Sequence, residues 1–377
     1  MKRILILTAS IGGGHNSAAS AVSESLKKQD DTVTTEIVDV LKECSDTAAR
    51  LIYEKGYAAS MSIAPGIYNA GYSLSKTMSE TRKESPSIRH FASGMTEKLC
   101  SVIKIFGPDV IYCTHFFPAV AVSMLREEHS ISCPVIASNL DYNITPYWNS
   151  ALSIDLLTVA HPELIPECEK MGFDKSRIVV TGIPTREDFL EPLEKNAVRQ
   201  KLGLRSDIFT VFVMFGGGDW AGTHKIVKDL ISCGREMQIV VINGKNDKSR
   251  AAVSDMEIPD NIELVNLGYT SNVAEYMYAS DIGITKAGGL SATEMINTGL
   301  PMIIKSSVYG QERLNLDFLM KHSACLCFGT SAELRQQLDI NAGERETILQ
   351  NMLSLKRNGS RNISELIMSQ VKAYELI

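Results

Sequence analysis

Two α/β domains, each a parallel sheet with helices on its faces, are what this 377-residue sequence predicts, and three observations predict it. Short continuous apolar runs alternate with segments of helical period, the pattern of strands buried on both faces. Three of those runs end in paired or tripled glycines that open a helix. The chain is also too long for one core and fits two domains of about 150–200 residues each.

The elements follow in chain order. Arg3–Thr8 reads as the first strand. It leads through Gly12-Gly13-Gly14-His15 into a helix near 16–28, whose apolar positions Ala18, Val22 and Leu26 recur at i, i+4 and i+8. Further strands are predicted at Thr35–Val40, Val110–Thr114, Val135–Ser138, Leu156–Val159 and Ile178–Thr181, with helices near 91–106, 117–128 and 162–171. Strands alternating with helices imply a parallel sheet with right-handed crossovers. Between about Cys44 and Ile88 the rhythm breaks, which marks an insertion. The sequence restarts the pattern at Thr210–Phe215, then Gly216-Gly217-Gly218-Asp219 and a helix from about Thr223. Strands follow at Gln238–Asn243, Ile262–Leu267, Asp281–Thr285, Met302–Lys305 and Ala324–Phe328, and the chain is helical after about Asn341. The predicted domains are 1–190 and 191–355, with a helix at 356–377 able to pack back on the first.

Composition excludes several classes. Hydrophobic residues make up 44% and charged residues 22%, ordinary for a globular protein, and the net charge of -6 argues against a general nucleic-acid binder. No run approaches the roughly 18 apolar residues of a transmembrane helix. Met1-Lys2-Arg3 and the run after it are too short for a signal peptide and enter a glycine loop, so they read as a first strand. The eight cysteines form no Cys-x-x-Cys pair and sit mostly in apolar runs, as buried free thiols in a reducing cytoplasm would.

The chemistry concentrates in Thr285-Lys286-Ala287-Gly288-Gly289-Leu290-Ser291-Ala292-Thr293-Glu294. Paired glycines let an anion approach the backbone, and a helix N-terminus offers unsatisfied N–H groups and the positive end of its dipole. Ser291 as N-cap and Glu294 three residues on fit a capping box. Neither Gly-x-Gly-x-x-Gly nor the P-loop pattern occurs, so neither a classical dinucleotide fingerprint nor a P-loop is supported. No Asp-x-Asp occurs either, which argues against a metal-bridged diphosphate. His15, immediately after the first glycine loop, suits a general base because a helix N-terminus disfavours imidazolium. A structural or capping histidine is the alternative.

With those residues in view, the chain resembles the monogalactosyl- and glucosyl-diacylglycerol synthases. These are GT-B glycosyltransferases related to the lipid-linked N-acetylglucosaminyl transferase of peptidoglycan synthesis. The resemblance spans nearly the whole chain. It rests on Leu7-Thr-Ala-Ser-Ile-Gly-Gly-Gly-His15, Thr181-Gly-Ile-Pro-Thr-Arg186, Leu267-Gly-Tyr269, the 285–294 stretch and Gly310-Gln-Glu312, in the family's order.

It implies two Rossmann-like domains facing across a cleft, a UDP-sugar in the second and a lipid acceptor, most simply diacylglycerol, at the first. The reaction implied is hexosyl transfer without cofactor or metal, by a cytoplasmic protein held peripherally at the cell membrane. On that pattern Glu294 accepts from the ribose hydroxyls and backbone around Tyr269 holds the uracil. Gly217, Gly218, Gly288, Gly289 and Leu290 surround the diphosphate, with Arg186 or Lys286 as the basic side chain; Gly14 and Ser291 belong to the same donor-binding set, while Gln311 and Glu312 hold sugar hydroxyls.

One departure bears on the acceptor. Asp141 and Trp148 match the family's late first-domain loop, but its histidine position is Thr145 here. Asp141 either assists His15 or caps a turn. The insertion carries Tyr57, Met61, Tyr68, Tyr72 and Met78. From Lys76 to Lys104 six basic residues (Lys76, Arg82, Lys83, Arg89, Lys98, Lys104) face three Glu, a local +3. Aromatics beside positive charge suit an anionic bilayer surface, and a solvated loop is the plainer account. A UDP-sugar 2-epimerase, transfer to another lipid or soluble acceptor, and a non-catalytic nucleotide-sugar sensor remain alternatives on the same frame.

Overall fold

The computed structural model describes residues 2–10, 13–45, 85–216, 222–306 and 310–374. It divides into two compact units. One comprises Met1–Glu187, Tyr309–Gln311 and Arg357–Ile377; the other comprises Asp188–Val308 and Glu312–Lys356.

In the N-terminal unit the strands are β1 (Lys2–Thr8), β2 (Val33–Asp39), β3 (Val110–Cys113), β4 (Val135–Ser138), β5 (Leu156–Val159) and β6 (Ile178–Val180). They pair in parallel in the order β2-β1-β3-β4-β5-β6. Every residue of β3 and β4 is buried, which is why these strands read as unbroken apolar runs. The helices are α1 (Gly14–Gln29), α2 (Val40–Glu43), α3 (Pro86–Phe106), α4 (Phe116–Glu127) and α5 (Ile165–Met171). Where a single helix over 162–171 is predicted, a 3-10 turn at Pro162–Leu164 precedes α5, with a proline at the start of each piece. The helix predicted from residue 91 starts at Pro86 instead, because Pro86 is pre-shaped for a first helical position. It therefore takes the end of the expected insertion; residues 46–84 of that insertion lie outside the described residues.

The C-terminal unit repeats the design with β7 (Thr210–Met214), β8 (Met237–Ile242), β9 (Ile262–Leu267), β10 (Ile282–Thr285), β11 (Met302–Lys305) and β12 (Leu326–Phe328). These are parallel in the order β12-β11-β10-β7-β8-β9. Its helices are α6 (Lys195–Leu202), α7 (Thr223–Ile231), α8 (Asp247–Ser254), α9 (Val273–Ala279), α10 (Gly289–Thr298), α11 (Gly310–Lys321), α12 (Ser331–Leu338) and α13 (Ala342–Leu355). A core of Val211, Val213, Ile239, Val241, Ile282, Ile284 and Ile303 packs under Ile226, Val227 and Leu230 of α7.

The last helix, α14 (Gly359–Tyr374), returns to the N-terminal unit. Ile363, Ile367 and Val371, one face at i, i+4 and i+8, are fully buried with Ile4, Ile6, Ala19, Val22 and Leu26. Its first residue is glycine for a steric reason: a Cβ on Gly359 would lie 2.4 Å from the Ile183 carbonyl oxygen. Ser360 Oγ donates to the Thr185 carbonyl, and Asn362 Nδ2 donates to that of Thr181 at 2.8 Å, fastening the 181–186 segment.

The topology places the chemistry. In each sheet the chain begins inside, winds to one edge, then returns to fill the other side. The reversal falls between β1 and β3 in the first unit and between β7 and β10 in the second. At such a point adjacent strands send their connections to opposite faces and leave a crevice at their carboxyl ends, where ligands of open α/β sheets bind.

Candidate active site

His15 sits in the first turn of α1, directly beyond the carboxyl end of β1. Its Nδ1 lies 2.7 Å from the carbonyl oxygen of Thr114, the residue after β3, so the contact spans the reversal point. A carbonyl only accepts, so Nδ1 carries the proton and Nε2 presents the lone pair. Burial pushes the His15 pKa below 6.5, and the Thr114 contact opposes that only in part. A neutral imidazole with a basic Nε2 is the result.

A second histidine, His115, escapes the sequence reading. It is buried, and its Nδ1 accepts the Phe117 N–H at 3.1 Å, capping α4. Its ring meets His15 edge-on with centroids 4.5 Å apart. Burial first, then the neighbouring His15, hold its pKa well below the ordinary value. The signal available in the sequence was its position, one residue past an apolar run and at the start of another.

The loop after β4 is held by Asn139, whose Nδ2 donates to the carbonyls of Asp141 at 2.9 Å and Asn143 at 2.7 Å. Asp141 lies in that loop, while the Nδ1 position of His15 is taken by Thr114. Thr145, at the expected histidine position, is buried and leads into a 3-10 turn at Pro146–Ser150 whose Trp148 is also buried. Arg186 is half-buried at the end of the segment fastened by α14.

In the C-terminal unit, glycines stand beyond the carboxyl ends of β7 and β8. Gly216 follows β7 with φ +75° and Gly244 follows β8 with φ +57°, both in the left-handed region that glycine tolerates. A Cβ on Gly244 would stand 3.9 Å from the Gly216 carbonyl oxygen, so the two backbones approach closely. Gly244 is another feature the sequence reading passed over. Gly217 and Gly218 lie outside the described residues.

Across the reversal, Thr285 Oγ1 donates to the Met214 carbonyl at 2.7 Å, tying β10 to β7. The following loop is fastened by the Gly288 N–H to the Lys286 carbonyl at 2.8 Å and by Asn315 Nδ2 to the Ala287 carbonyl at 2.9 Å. Lys286 Cε would lie 4.0 Å from a Cβ at either Gly216 or Gly288, so its stem runs beside both glycines. Its Nζ pairs with Glu312 at 2.6 Å in the first turn of α11. Gln311 precedes Glu312 in that turn and groups with the N-terminal unit. Tyr269, just past β9, is 75% exposed.

The capping box expected at Ser291 does not form. Gly288 is the N-cap of α10, so the helix starts before Ser291, and no side chain caps it. The glycine pair lets the helix begin early, and Thr293 Oγ1 locks its first turn to the Gly289 carbonyl at 2.7 Å. Two consequences follow. The leading N–H groups from Gly289 to Ser291 point along the helix axis without a capping side chain, the arrangement that holds anions. Glu294, relieved of a capping role, sits buried in the second turn at 7% exposure.

Comparison with known proteins finds a separate match for each half of the chain. Residues 15–185 match the family described as Monogalactosyldiacylglycerol (MGDG) synthase, and residues 210–367 match the Glycosyltransferase family 28 C-terminal domain. The chain is 29% identical over 376 residues to a Bacillus pumilus protein named processive diacylglycerol beta-glucosyltransferase, covering 98% of this chain and 95% of the relative. A Bacillus subtilis protein of the same name is 26% identical over 373 residues, covering 98% and 94%. Among solved structures, MurG of Acinetobacter baumannii superposes with a TM-score of 0.63 at 14% identity, covering 98% of this chain and 100% of that one. The UDP-GlcNAc 2-epimerase of Neisseria meningitidis, bound to UDP-GlcNAc, gives 0.64 at 15%, covering 99% and 100%. Those two likenesses show the fold. With its first half matched to the Monogalactosyldiacylglycerol (MGDG) synthase model and its second half to the Glycosyltransferase family 28 C-terminal domain, in that order, the chain is a glycosyltransferase of the two-domain GT-B fold.

Proposed function

We propose that the protein transfers a hexose from a UDP-sugar to the free hydroxyl of diacylglycerol. The acceptor rests on the names of the relatives that align over nearly the whole chain. The observation that carries the chemistry is His15, whose Thr114 contact leaves Nε2 as the basic nitrogen. In the proposed reaction Nε2 takes the acceptor O–H proton as the oxygen attacks the anomeric carbon, and the bond to the UDP oxygen breaks.

The C-terminal unit holds the donor. Glu294 accepts from the ribose, and backbone beside Tyr269 receives the base. The N–H groups of Gly289, Leu290 and Ser291, with Lys286 and the glycines after β7, balance the diphosphate charge without a metal. Arg186 supplies a further cation, and Gln311 and Glu312 bind sugar hydroxyls, Glu312 while also pairing with Lys286. Asp141 is the reserve candidate for assisting the base.

Work at a membrane surface belongs to the same proposal. Among the described residues no helix is long and apolar enough to cross a membrane. On α3, Lys98, Lys104 and Ile105 are exposed, the last at 86%. Arg89, counted with them in the sequence, pairs instead with Glu127 at 2.7 Å.

The test is incubation of the purified protein with labelled UDP-glucose or UDP-galactose, with and without vesicles containing diacylglycerol. Label appearing in lipid supports the proposal. A free epimer, or donor binding without turnover, overturns it.

A further inference from the structure

We propose that Asp39 is a positioning residue for the reaction, aiming His15 through Ser10 and Asn16. The inference rests on the reading of His15 as the base. Asp39 is the last residue of β2 and pairs in register with Thr8, the last of β1. In a nucleotide-binding half of this architecture an acidic residue at that point accepts from the ribose hydroxyls. Here the carboxylate is already engaged. One oxygen accepts the Ser10 N–H at 3.3 Å and the Leu41 N–H at 3.2 Å. The other accepts the Ser10 hydroxyl and pairs with Lys42 at 3.2 Å.

The chain of bonds continues from Ser10 into the turn that carries the base. Asn16 Nδ2 donates to Ser10 Oγ at 3.1 Å, and Asn16 Oδ1 accepts from the buried Thr8 hydroxyl at 2.9 Å. The donor directions are forced. A carboxylate only accepts, so the Ser10 proton goes to Asp39 and its lone pair is left for the Asn16 amide. The amide orientation in turn leaves Oδ1 for Thr8. Asn16 follows His15 in the first turn of α1, so this chain fixes the backbone of that turn while Thr114 fixes the ring. The N-terminal unit has thus turned the ribose-binding position of its frame into an anchor for the base. A misplacement of about 1 Å at a reacting group costs on the order of 100-fold in rate, so an anchor of this kind has kinetic weight.

The experiment compares H15A, S10A, S10T, N16A, D39N and the double variant H15A/N16A in transfer from UDP-glucose to diacylglycerol vesicles. S10A, N16A and D39N should each lower kcat by roughly 10- to 100-fold while the KM for UDP-glucose stays within about twofold of wild type. S10T, which keeps the hydroxyl, should restore what S10A loses. N16A should cost nothing further in the H15A background, because its effect passes through the imidazole. Unchanged kcat in both N16A and D39N overturns the proposal, as does an equal loss from N16A with or without His15, which would mark a merely structural role. Wild-type turnover in H15A overturns the base assignment itself, and the positioning role falls with it. Should D39N fail to fold by circular dichroism, S10A and N16A decide the question.

Discussion

The two units share one frame and differ in what they place at its reversal point. In the N-terminal unit the first turn of α1 projects a side chain, His15, and a polar chain from Asp39 steadies that turn. In the C-terminal unit the first turn of α10 projects little beyond its own backbone. Gly288 and Gly289 leave the helix start uncapped, and the charge nearby is a Lys286–Glu312 pair. One crevice presents a lone pair that can take a proton; the other presents N–H groups that can hold an anion. The architecture decides where chemistry can sit, and the first helical turn decides which chemistry it is.

The comparison breaks most visibly at His15. H15A should lower kcat by about 10²–10⁴-fold, the usual size of general-base help, and leave UDP affinity near wild type. Turnover close to wild type would return His15 to a structural role and promote Asp141. In the other unit, E294A should weaken UDP binding by roughly 1–3 kcal/mol, since the ribose hydroxyls lose a buried acceptor. Calorimetry giving an unchanged UDP affinity would remove the donor site from α10.

A stability effect of similar or smaller size separates the units by packing. A Cβ at Gly359 would meet the Ile183 carbonyl, so G359A should destabilise the N-terminal unit by about 1–3 kcal/mol. Denaturant unfolding that shows no shift would mean α14 can retreat without loss.

The smallest effect is one of pH. His15 and His115 are both held neutral, with folded pKa values lowered by burial. The stability tied to that neutrality is whole above the unfolded value of about 6.5 and is lost as pH falls through the lower folded values. Protonation of His115 would also remove the acceptor that caps α4. The melting temperature should therefore decline on acidification from pH 7 to 5, less steeply in H115N, whose side chain has no ring nitrogen to protonate. The acid limb of kcat should fall below the ordinary histidine range. Parallel melting curves for wild type and H115N would assign the acid loss elsewhere.

Much of the fold was legible because parallel strands buried on both faces leave continuous apolar runs; β4, β5, β9 and β11 were predicted to the residue. Helix starts were less legible. Ser291 and Glu294 have capping-box spacing, yet a glycine N-cap carries no side-chain signature, so the true start of α10 could not be read. The pairing of Lys286 with Glu312, the edge contact of His15 with His115, and the reach of Asp39 to Ser10 join residues far apart in sequence. Periodicity has nothing to say about such pairs until the sheet order is known.

The return of α14 also carries a consequence for biosynthesis. Ile4 and Ile6 leave the ribosome long before the helix face that covers them, which lies at 363–371, beyond every element of the C-terminal unit. Domains generally fold as units during synthesis, the N-terminal one first. Here the order is inverted at the last step: the C-terminal unit is fully synthesised while the first sheet still waits for its closing helix. A nascent chain halted near residue 356 would expose an apolar groove along α1, a surface for chaperones to hold until translation resumes.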